Sequence, residues 1–120
     1  AGELSHLKSD FRFPLPDNKK LGDLLKRLHP TPAVCGLPKE ETYHFIRENE
    51  GHDRSYYSGF IGWLAPEEKS DLYVNLRCMN ILPDAFVLYA GGGILASSEA
   101  ESEWLETEAK MQTMMRLLDA

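Results

Sequence analysis

The residues whose spacing most suggests chemistry lie near the C-terminal end of the chain. Glu99, Glu103, Glu106 and Lys110 follow one another at intervals of four, three and four residues. On a helix they share one narrow sector, because each residue advances the helix by about 100°. Two glutamates three residues apart can offer carboxylate oxygens to one hard cation such as Mg²⁺, which proteins hold through one or two carboxylates plus ligand oxygens. A lysine one turn further on can reach an anion bound to that metal.

The same acidic row is also typical of a solvated helix. Glu106 and Lys110 at i,i+4 spacing stabilise a helix by a few tenths of a kcal/mol without any ligand. Spacing alone favours this plainer interpretation, so both alternatives stay open at this point.

Three further side chains have a possible role in ligand binding. Arg77, on a predicted middle strand, could bind a carboxylate through both arms of its guanidinium. Tyr57 could donate its hydroxyl to a ligand, and His29, at the start of a proline-rich loop, could orient a ligand oxygen. Each has an ordinary alternative, namely an exposed strand arginine, a packed strand aromatic and a histidine that interacts with a helix end.

The glycine triplet at residues 91–93 is open to two interpretations as well. Its backbone N–H groups could approach an anion, or it could be a simple turn, which is the commoner case. It is not a Walker loop, because no Lys-Ser or Lys-Thr pair follows it.

The N-terminal half predicts one strand and two helices. Residues 6–13 alternate weakly up to Pro14 and predict a short strand, and leucines at helical spacing predict a helix over residues 21–28. Residues 29–36 predict a non-helical loop, because two prolines hold it extended. A second helix is predicted from Pro38 to about Glu50, with Gly51 as a plausible C-terminal cap.

The C-terminal half predicts an antiparallel meander followed by a long helix. The three strands span residues 56–64, 71–82 and 85–90, and Gly59 and Gly62 within the first predict close approach by a ligand or another backbone. The helix covers about residues 99–118, with Ser97 or Ser98 as its cap and Glu101 at capping-box spacing from Ser98. The predicted class is α+β, with helices covering an antiparallel sheet.

Composition narrows the classes of function. The 120 residues include 13 Lys+Arg and 19 Asp+Glu, a net charge of −6, so a generic nucleic-acid binder is not expected. No apolar run is long enough to span a bilayer and no signal peptide is visible, so no membrane partner is expected. Cys35 and Cys78 are far apart, which disfavours a disulfide scaffold or a zinc site and predicts a cytoplasmic protein.

Several segments taken in order resemble isochorismate synthases of the chorismate-utilising family. Residues 28–39, LHPTPAVCGLPK, are similar to a signature of those enzymes, and residues 50–63 fit the pattern E-x-x-x-R-x-x-Y-x-G-x-x-G-W. The other matching stretches are Leu76-Arg77, residues 89–95 (YAGGGIL), and Ser98, Glu103-Trp104, Glu106-Thr107 and Lys110. The resemblance extends from about residue 6 to residue 118.

The resemblance implies roles for the candidate residues. Glu103 and Glu106 would bind Mg²⁺, which would hold the ring carboxylate of chorismate, and His29 would lie near the reacting face of the ring. The residues implied on the side of the enolpyruvyl carboxylate are Tyr57, Arg77, Lys110 and the amide of Gly93. The implied reaction is Mg²⁺-assisted displacement of the 4-hydroxyl of chorismate by water at C2, which gives isochorismate for menaquinone or siderophore biosynthesis.

The loop at residues 30–36 favours isochorismate synthase over the rest of the family. The loop differs in salicylate synthases and in the two synthases that use ammonia, those for anthranilate and aminodeoxychorismate. These enzymes are the first alternative. A non-catalytic relative that keeps the scaffold without the chemistry is the second. Gly92 and Leu95 stand where the family usually has alanine and valine, and neither change removes a ligand.

The resemblance also implies that residues 1–120 are the C-terminal part of a chorismate-binding domain with a larger two-sheet α/β/β/α fold. Its catalytic acid and base are expected upstream of residue 1, in the missing N-terminal half of the same polypeptide. The chain alone is therefore expected to turn over little or no chorismate and to self-associate through bared apolar surface.

Overall fold

A computed structural model describes residues 8–65 and 67–119, and it confirms the α+β class. A single 3₁₀ turn at Asn18–Lys20 leads into the first helix. The helices are α1 (Leu21–Leu28), α2 (Pro32–Cys35), α3 (Lys39–Asn49) and α4 (Ala100–Met115), and the strands are β1 (Phe60–Trp63), β2 (Asp71–Val74), β3 (Cys78–Ile81) and β4 (Phe86–Tyr89).

The described strands are antiparallel, as predicted, but they form two hairpins instead of one three-stranded meander. In the first hairpin Phe60 of β1 lies opposite Val74 of β2, and in the second Cys78 of β3 lies opposite Tyr89 of β4. The strand predicted over residues 71–82 is broken because Arg77 has a φ of +48°, in the left-handed region that a strand does not use. The polar–apolar alternation continues across this break, which is why the sequence pattern does not reveal it.

Residues 8–13, predicted as part of a strand, form none in the structure. Phe11 and Phe13 are exposed, and no described strand lies alongside to supply ladder hydrogen bonds. His6 and Leu7, the first two residues of the predicted strand, lie outside the described residues.

The predicted loop at residues 29–36 contains one helical turn, α2, so its fully non-helical character is wrong. Pro32 occupies the first helical position, where its missing N–H costs nothing, and the carbonyl of Thr31 accepts hydrogen bonds from Val34 and Cys35 at 3.0 Å. Gly36, with a φ of +101°, ends the turn. The loop thus returns the chain onto α3, where Cys35 Sγ lies 3.6 Å from Thr42 Oγ1.

α4 begins at Ala100 without a side-chain cap, so the predicted capping by Ser97 or Ser98 is wrong. Glu99 is the N-cap residue, and its side chain makes no capping hydrogen bond. Ser98 Oγ instead accepts a hydrogen bond from the Leu95 amide at 3.0 Å and donates one to Glu103 Oε1 at 2.5 Å. The serine that the pattern assigns to the helix end therefore holds a candidate metal ligand.

The interior is small. Cys35 and Ser58 are the only buried residues among those described. Ile61, Trp63 and Tyr73 share one face of the first hairpin, because Ile61 is the cross-strand partner of Tyr73, and their exposures are 57%, 71% and 65%. No described element covers this face. In the described ranges, no helix has both the length and the apolar character that a bilayer crossing needs.

Gly62 provides a test of the first hairpin. Its φ is +148°, and a Cβ at this position would clash with the carbonyl oxygen of Asp71, which confirms the predicted close approach by another backbone. We expect Gly62→Ala to lower the free energy of unfolding by about 2 kcal/mol or more, through backbone strain and the clash.

Gly22→Ala is the matched control for this prediction. Gly22 lies in α1, and nothing lies within 4 Å of the position that an alanine methyl group would take. Alanine should therefore raise the free energy of unfolding by up to about 1 kcal/mol. Urea unfolding of the intact protein measures both variants, and equal effects would contradict the tight approach at Gly62.

Candidate active site

The glycine loop (residues 91–93), which follows β4, is approached by Tyr57 from one part of the chain and by two side chains of α4, Glu103 and Lys110, from another. Lys110 Nζ donates a hydrogen bond to the carbonyl oxygen of Gly91 at 3.0 Å. A Cβ at Gly91 would lie 2.5 Å from the hydroxyl oxygen of Tyr57, and one at Gly92 would lie 3.4 Å from Glu103 Oε2. Position 91 therefore has to be glycine for the Tyr57 hydroxyl to reach the loop as it does here.

Both carboxylates on this side of α4 have a defined partner. Glu103 is half-buried and accepts the hydrogen bond from Ser98. Glu106 is exposed and pairs with Lys110 Nζ at 2.5 Å, and the hydrogen bond and charge of this lysine lower the pKa of Glu106. Lys110 thus links the second glutamate to the glycine loop.

The chemistry of the donors fits a hard divalent cation. Glu103 and Glu106 lie one helical turn apart, so their carboxylates occupy neighbouring positions on the same face of α4. Within residues 8–65 and 67–119 no group of three or more His, Cys, Asp or Glu side chains is placed to hold a metal. Two carboxylates, with the remaining positions taken by water and ligand oxygens, suit Mg²⁺ but not a structural zinc.

Tyr57 is held by aromatic and cationic neighbours. Its ring stacks on Tyr89, with centroids 5.8 Å apart and planes 16° from parallel, and the guanidinium carbon of Arg54 lies 5.7 Å from the ring centroid. Burial raises the pKa of Tyr57, which the charge of Arg54 offsets in part. The hydroxyl therefore stays protonated at neutral pH and can act as a hydrogen-bond donor.

In the described ranges, the remaining predicted site residues make no hydrogen bond, ion pair or ring contact with Tyr57, Glu103 or Lys110. Arg77 is exposed at the turn between β2 and β3, and no hydrogen bond or ion pair joins it to a described residue. His29 is exposed, and its ring lies edge-on to Phe60 at 5.4 Å. It lines an open cleft of about 510 Å³ together with Tyr57. Gly93 belongs to the glycine loop, with open space where a Cβ would stand. The proposed roles of Arg77, His29 and Gly93 stay predictions.

Sequence reasoning missed three contacts at the site. The stacking of Tyr89 on Tyr57, the hydrogen bond from Ser98 to Glu103, and the fit of Tyr57 against Gly91 all join residues from different elements. Ser98 and Tyr89 lie within the resembling stretches, but their types and spacing do not reveal these partners.

Comparison with known proteins places the chain in a family. The family described as "Chorismate binding enzyme" matches residues 1–119. The chain belongs to this family. The resemblance carried by the motifs is thereby confirmed.

Curated relatives of this family member are named isochorismate synthases. The vibriobactin-specific isochorismate synthase of Vibrio cholerae is 44% identical over 88 residues, which are 73% of this chain and 22% of the relative. The salicylate biosynthesis isochorismate synthase of Pseudomonas aeruginosa is 38% identical over 117 residues, 98% of this chain and 25% of the relative. Isochorismate synthase DhbC of Bacillus subtilis is 37% identical over 114 residues, 94% of this chain and 29% of the relative.

The chain therefore spans less than a third of the length of these relatives. No solved structure matches it significantly.

The pairing of Glu106 with Lys110 can be tested by titration. Since Lys110 favours the ionised form of the carboxyl, Lys110→Met should raise the pKa of Glu106 toward its ordinary value of 4.5. The side-chain carboxyl resonances of a ¹³C-labelled protein report this pKa directly. Lys69→Met, which removes a lysine paired with Asp71, is the control and should leave it unchanged. An unshifted Glu106 in the Lys110 variant would contradict the pairing.

Proposed function

We propose that the protein carrying this chain converts chorismate to isochorismate, adding water at C2 and losing the 4-hydroxyl, in a Mg²⁺-dependent reaction. The observation that carries the proposal is the meeting of Tyr57, Glu103 and Lys110 at the glycine loop. The proposal is supported by relatives from three bacteria that are named isochorismate synthases.

Glu103 and Glu106 are the proposed ligands of the Mg²⁺. When bound, the ion supplies positive charge that offsets and orients the ring carboxylate of chorismate. Ser98 donates a hydrogen bond to Oε1 of Glu103, and the other oxygen of the same carboxylate, Oε2, faces Gly92. A hydroxyl that fixes a ligating carboxylate in this way limits the orientations from which it can bind a metal.

Lys110 and Tyr57 form the proposed donor pair for the enolpyruvyl carboxylate. An ammonium group has three N–H donors. Lys110 uses two of them, on Gly91 O and on Glu106, so a third is available for a substrate oxygen. The neutral hydroxyl of Tyr57 meets the loop at the same residue, Gly91. These donors suit a dianionic ligand although the chain carries a net charge of −6.

The other predicted residues complete the proposal. Arg77 and the amide of Gly93 are proposed to help bind the enolpyruvyl carboxylate. His29 is proposed to orient the ring of chorismate from the cleft that it shares with Tyr57. Proton transfer needs an acid and a base within hydrogen-bond reach of the substrate. The proposal assigns metal and carboxylate binding to this chain and proton transfer to residues outside it.

The cellular setting is also a proposal. Cys35 and Cys78 are both free thiols, which suits a reducing cytoplasm. Isochorismate made there would feed menaquinone or siderophore biosynthesis.

The intact protein should make isochorismate from chorismate and Mg²⁺, with products separated by HPLC. Glu106→Gln removes one proposed ligand and should lower turnover by about 100-fold or more. Glu101→Gln is the matched control, because Glu101 is an exposed glutamate of the same helix without a partner among the described residues, and it should keep its activity.

The other outcomes of this assay each overturn a stated part of the proposal. Salicylate with pyruvate, or an aminated product that needs ammonia, would keep the site and overturn the choice of reaction. If Glu101→Gln loses as much activity as Glu106→Gln, the loss is not specific to a proposed ligand, and the assignment of Glu106 as a Mg²⁺ ligand would be overturned. No turnover of any kind would favour a non-catalytic relative.

Gly91→Ala tests the fit of Tyr57 against the loop. The new methyl group would displace the Tyr57 hydroxyl, and the loss of one hydrogen bond to a charged ligand should raise KM for chorismate by about 10-fold or more. Gly92→Ala introduces the residue that the family usually has there, at an ordinary contact distance of 3.4 Å from Glu103 Oε2, and should have a much smaller effect. Equal values of KM for the two variants would contradict the proposed role of Tyr57.

A further inference from the structure

Arg54 makes contacts with three separate segments of the chain. Nε donates to Glu50 Oε2 at 2.7 Å, and Nη2 donates to the other oxygen of the same carboxylate. Nη1 donates to the carbonyl oxygen of Val34 at 2.9 Å and to Ser58 Oγ at 3.1 Å. One guanidinium thus joins the end of α3, the turn of α2 and the approach to β1.

These contacts fix the backbone that carries Tyr57. The Tyr57 amide donates to the carbonyl oxygen of Arg54 at 2.8 Å, and Ser58, the next residue, is buried and has a φ of +71°. A non-glycine residue in this region is strained and persists only where its surroundings hold it. The hydrogen bond from Arg54 to Ser58 Oγ and the one from Ser58 N to Asn75 O, at 2.9 Å, supply that constraint.

The guanidinium also limits where the ring of Tyr57 can lie. Arg54 is 5.7 Å from the ring centroid and Tyr89 is 5.8 Å away in a stacked arrangement, so two contacts restrain the ring. The hydroxyl at the far end of this ring is the group that lies against Gly91.

We infer that Arg54, fixed by Glu50, is a positioning residue that aims the Tyr57 hydroxyl at the glycine loop and acts on the substrate carboxylate through Tyr57. This inference deepens the proposed function and rests on it. Arginine is required because only a planar guanidinium supplies paired hydrogen bonds to a carboxylate and two more donors in fixed directions. The hydrogen bonds and charge of Arg54 lower the pKa of Glu50, so the pair is fully ionised at neutral pH.

The test is a double-mutant cycle in the intact protein with Arg54→Lys and Tyr57→Phe. Each single variant should raise KM for chorismate by about 10-fold with little change in kcat, because each loses ground-state binding by the same hydroxyl. The double variant should have the KM of Tyr57→Phe alone, since a positioning residue has no effect once the group that it positions is absent. KM effects that multiply, or a fall in kcat with KM unchanged, would overturn the inference.

Arg27→Lys is the matched control. Arg27 is an exposed arginine of α1 whose side chain makes no hydrogen bond or ion pair with a described residue, and it does not line the cleft that His29 shares with Tyr57. This variant should leave KM unchanged. If Arg54→Lys does not fold, Glu50→Gln loosens the same contacts while it keeps the charge of Arg54, and it should raise KM by about threefold; an unchanged KM would overturn the inference.

A second readout separates this inference from the proposed function. If the intact protein makes no isochorismate, the proposed function fails, and the effect of Arg54 on Tyr57 can still be measured without substrate. Its ¹³Cζ resonance should titrate at a higher pH in Arg54→Gln than in the parent protein, because the nearby positive charge is lost. An unchanged titration would show that Arg54 does not act on this ring, whatever the enzyme assay gives.

Discussion

The ion pair between Arg54 and Glu50 is the interaction on which the rest of the described structure depends. With only Cys35 and Ser58 buried among the described residues, apolar burial does little to fix the helices relative to the strands. Directed hydrogen bonds from one guanidinium do so instead, because they bind α3, α2 and the residues before β1 at once. These hydrogen bonds restrain the backbone that carries Tyr57. Tyr57 and Lys110 in turn contact the glycine loop at Gly91.

The charges around the glycine loop balance one another in a way that suits an anionic ligand. Two carboxylates alone would repel a dianion, but Lys110 pairs with Glu106 and donates a hydrogen bond to the carbonyl oxygen of Gly91, the residue against which the Tyr57 hydroxyl lies. A divalent cation bound by Glu103 and Glu106 would remove the remaining repulsion. The proposed chemistry therefore needs the metal and the lysine together, and neither group is sufficient without the other.

Much of the local structure could be predicted from the sequence, because it depends on neighbouring residues. The leucine spacing of α1, the proline at the start of α3 and the close approach at Gly62 are local features, and the structure has all three. The prediction failed where a partner distant in sequence decides the outcome. Residues 8–13 alternate like a strand but have no neighbouring strand among the described residues, and the alternation over residues 71–82 conceals the left-handed residue at Arg77 that divides it.

The candidate site likewise has one part that the sequence predicts and another that depends on contacts between elements. The sequence by itself determined that Glu103, Glu106 and Lys110 share one face of a helix, because helical periodicity requires it, and its motifs determined the family. Only the tertiary structure decided that Ser98 holds Glu103 instead of capping α4, and that Tyr57 and Lys110 meet at Gly91. It also placed Arg77 in a left-handed turn between β2 and β3 instead of within a strand. The physical reason is that periodicity fixes directions within one element, whereas a contact between elements depends on backbone turns and long-range hydrogen bonds that no local pattern records.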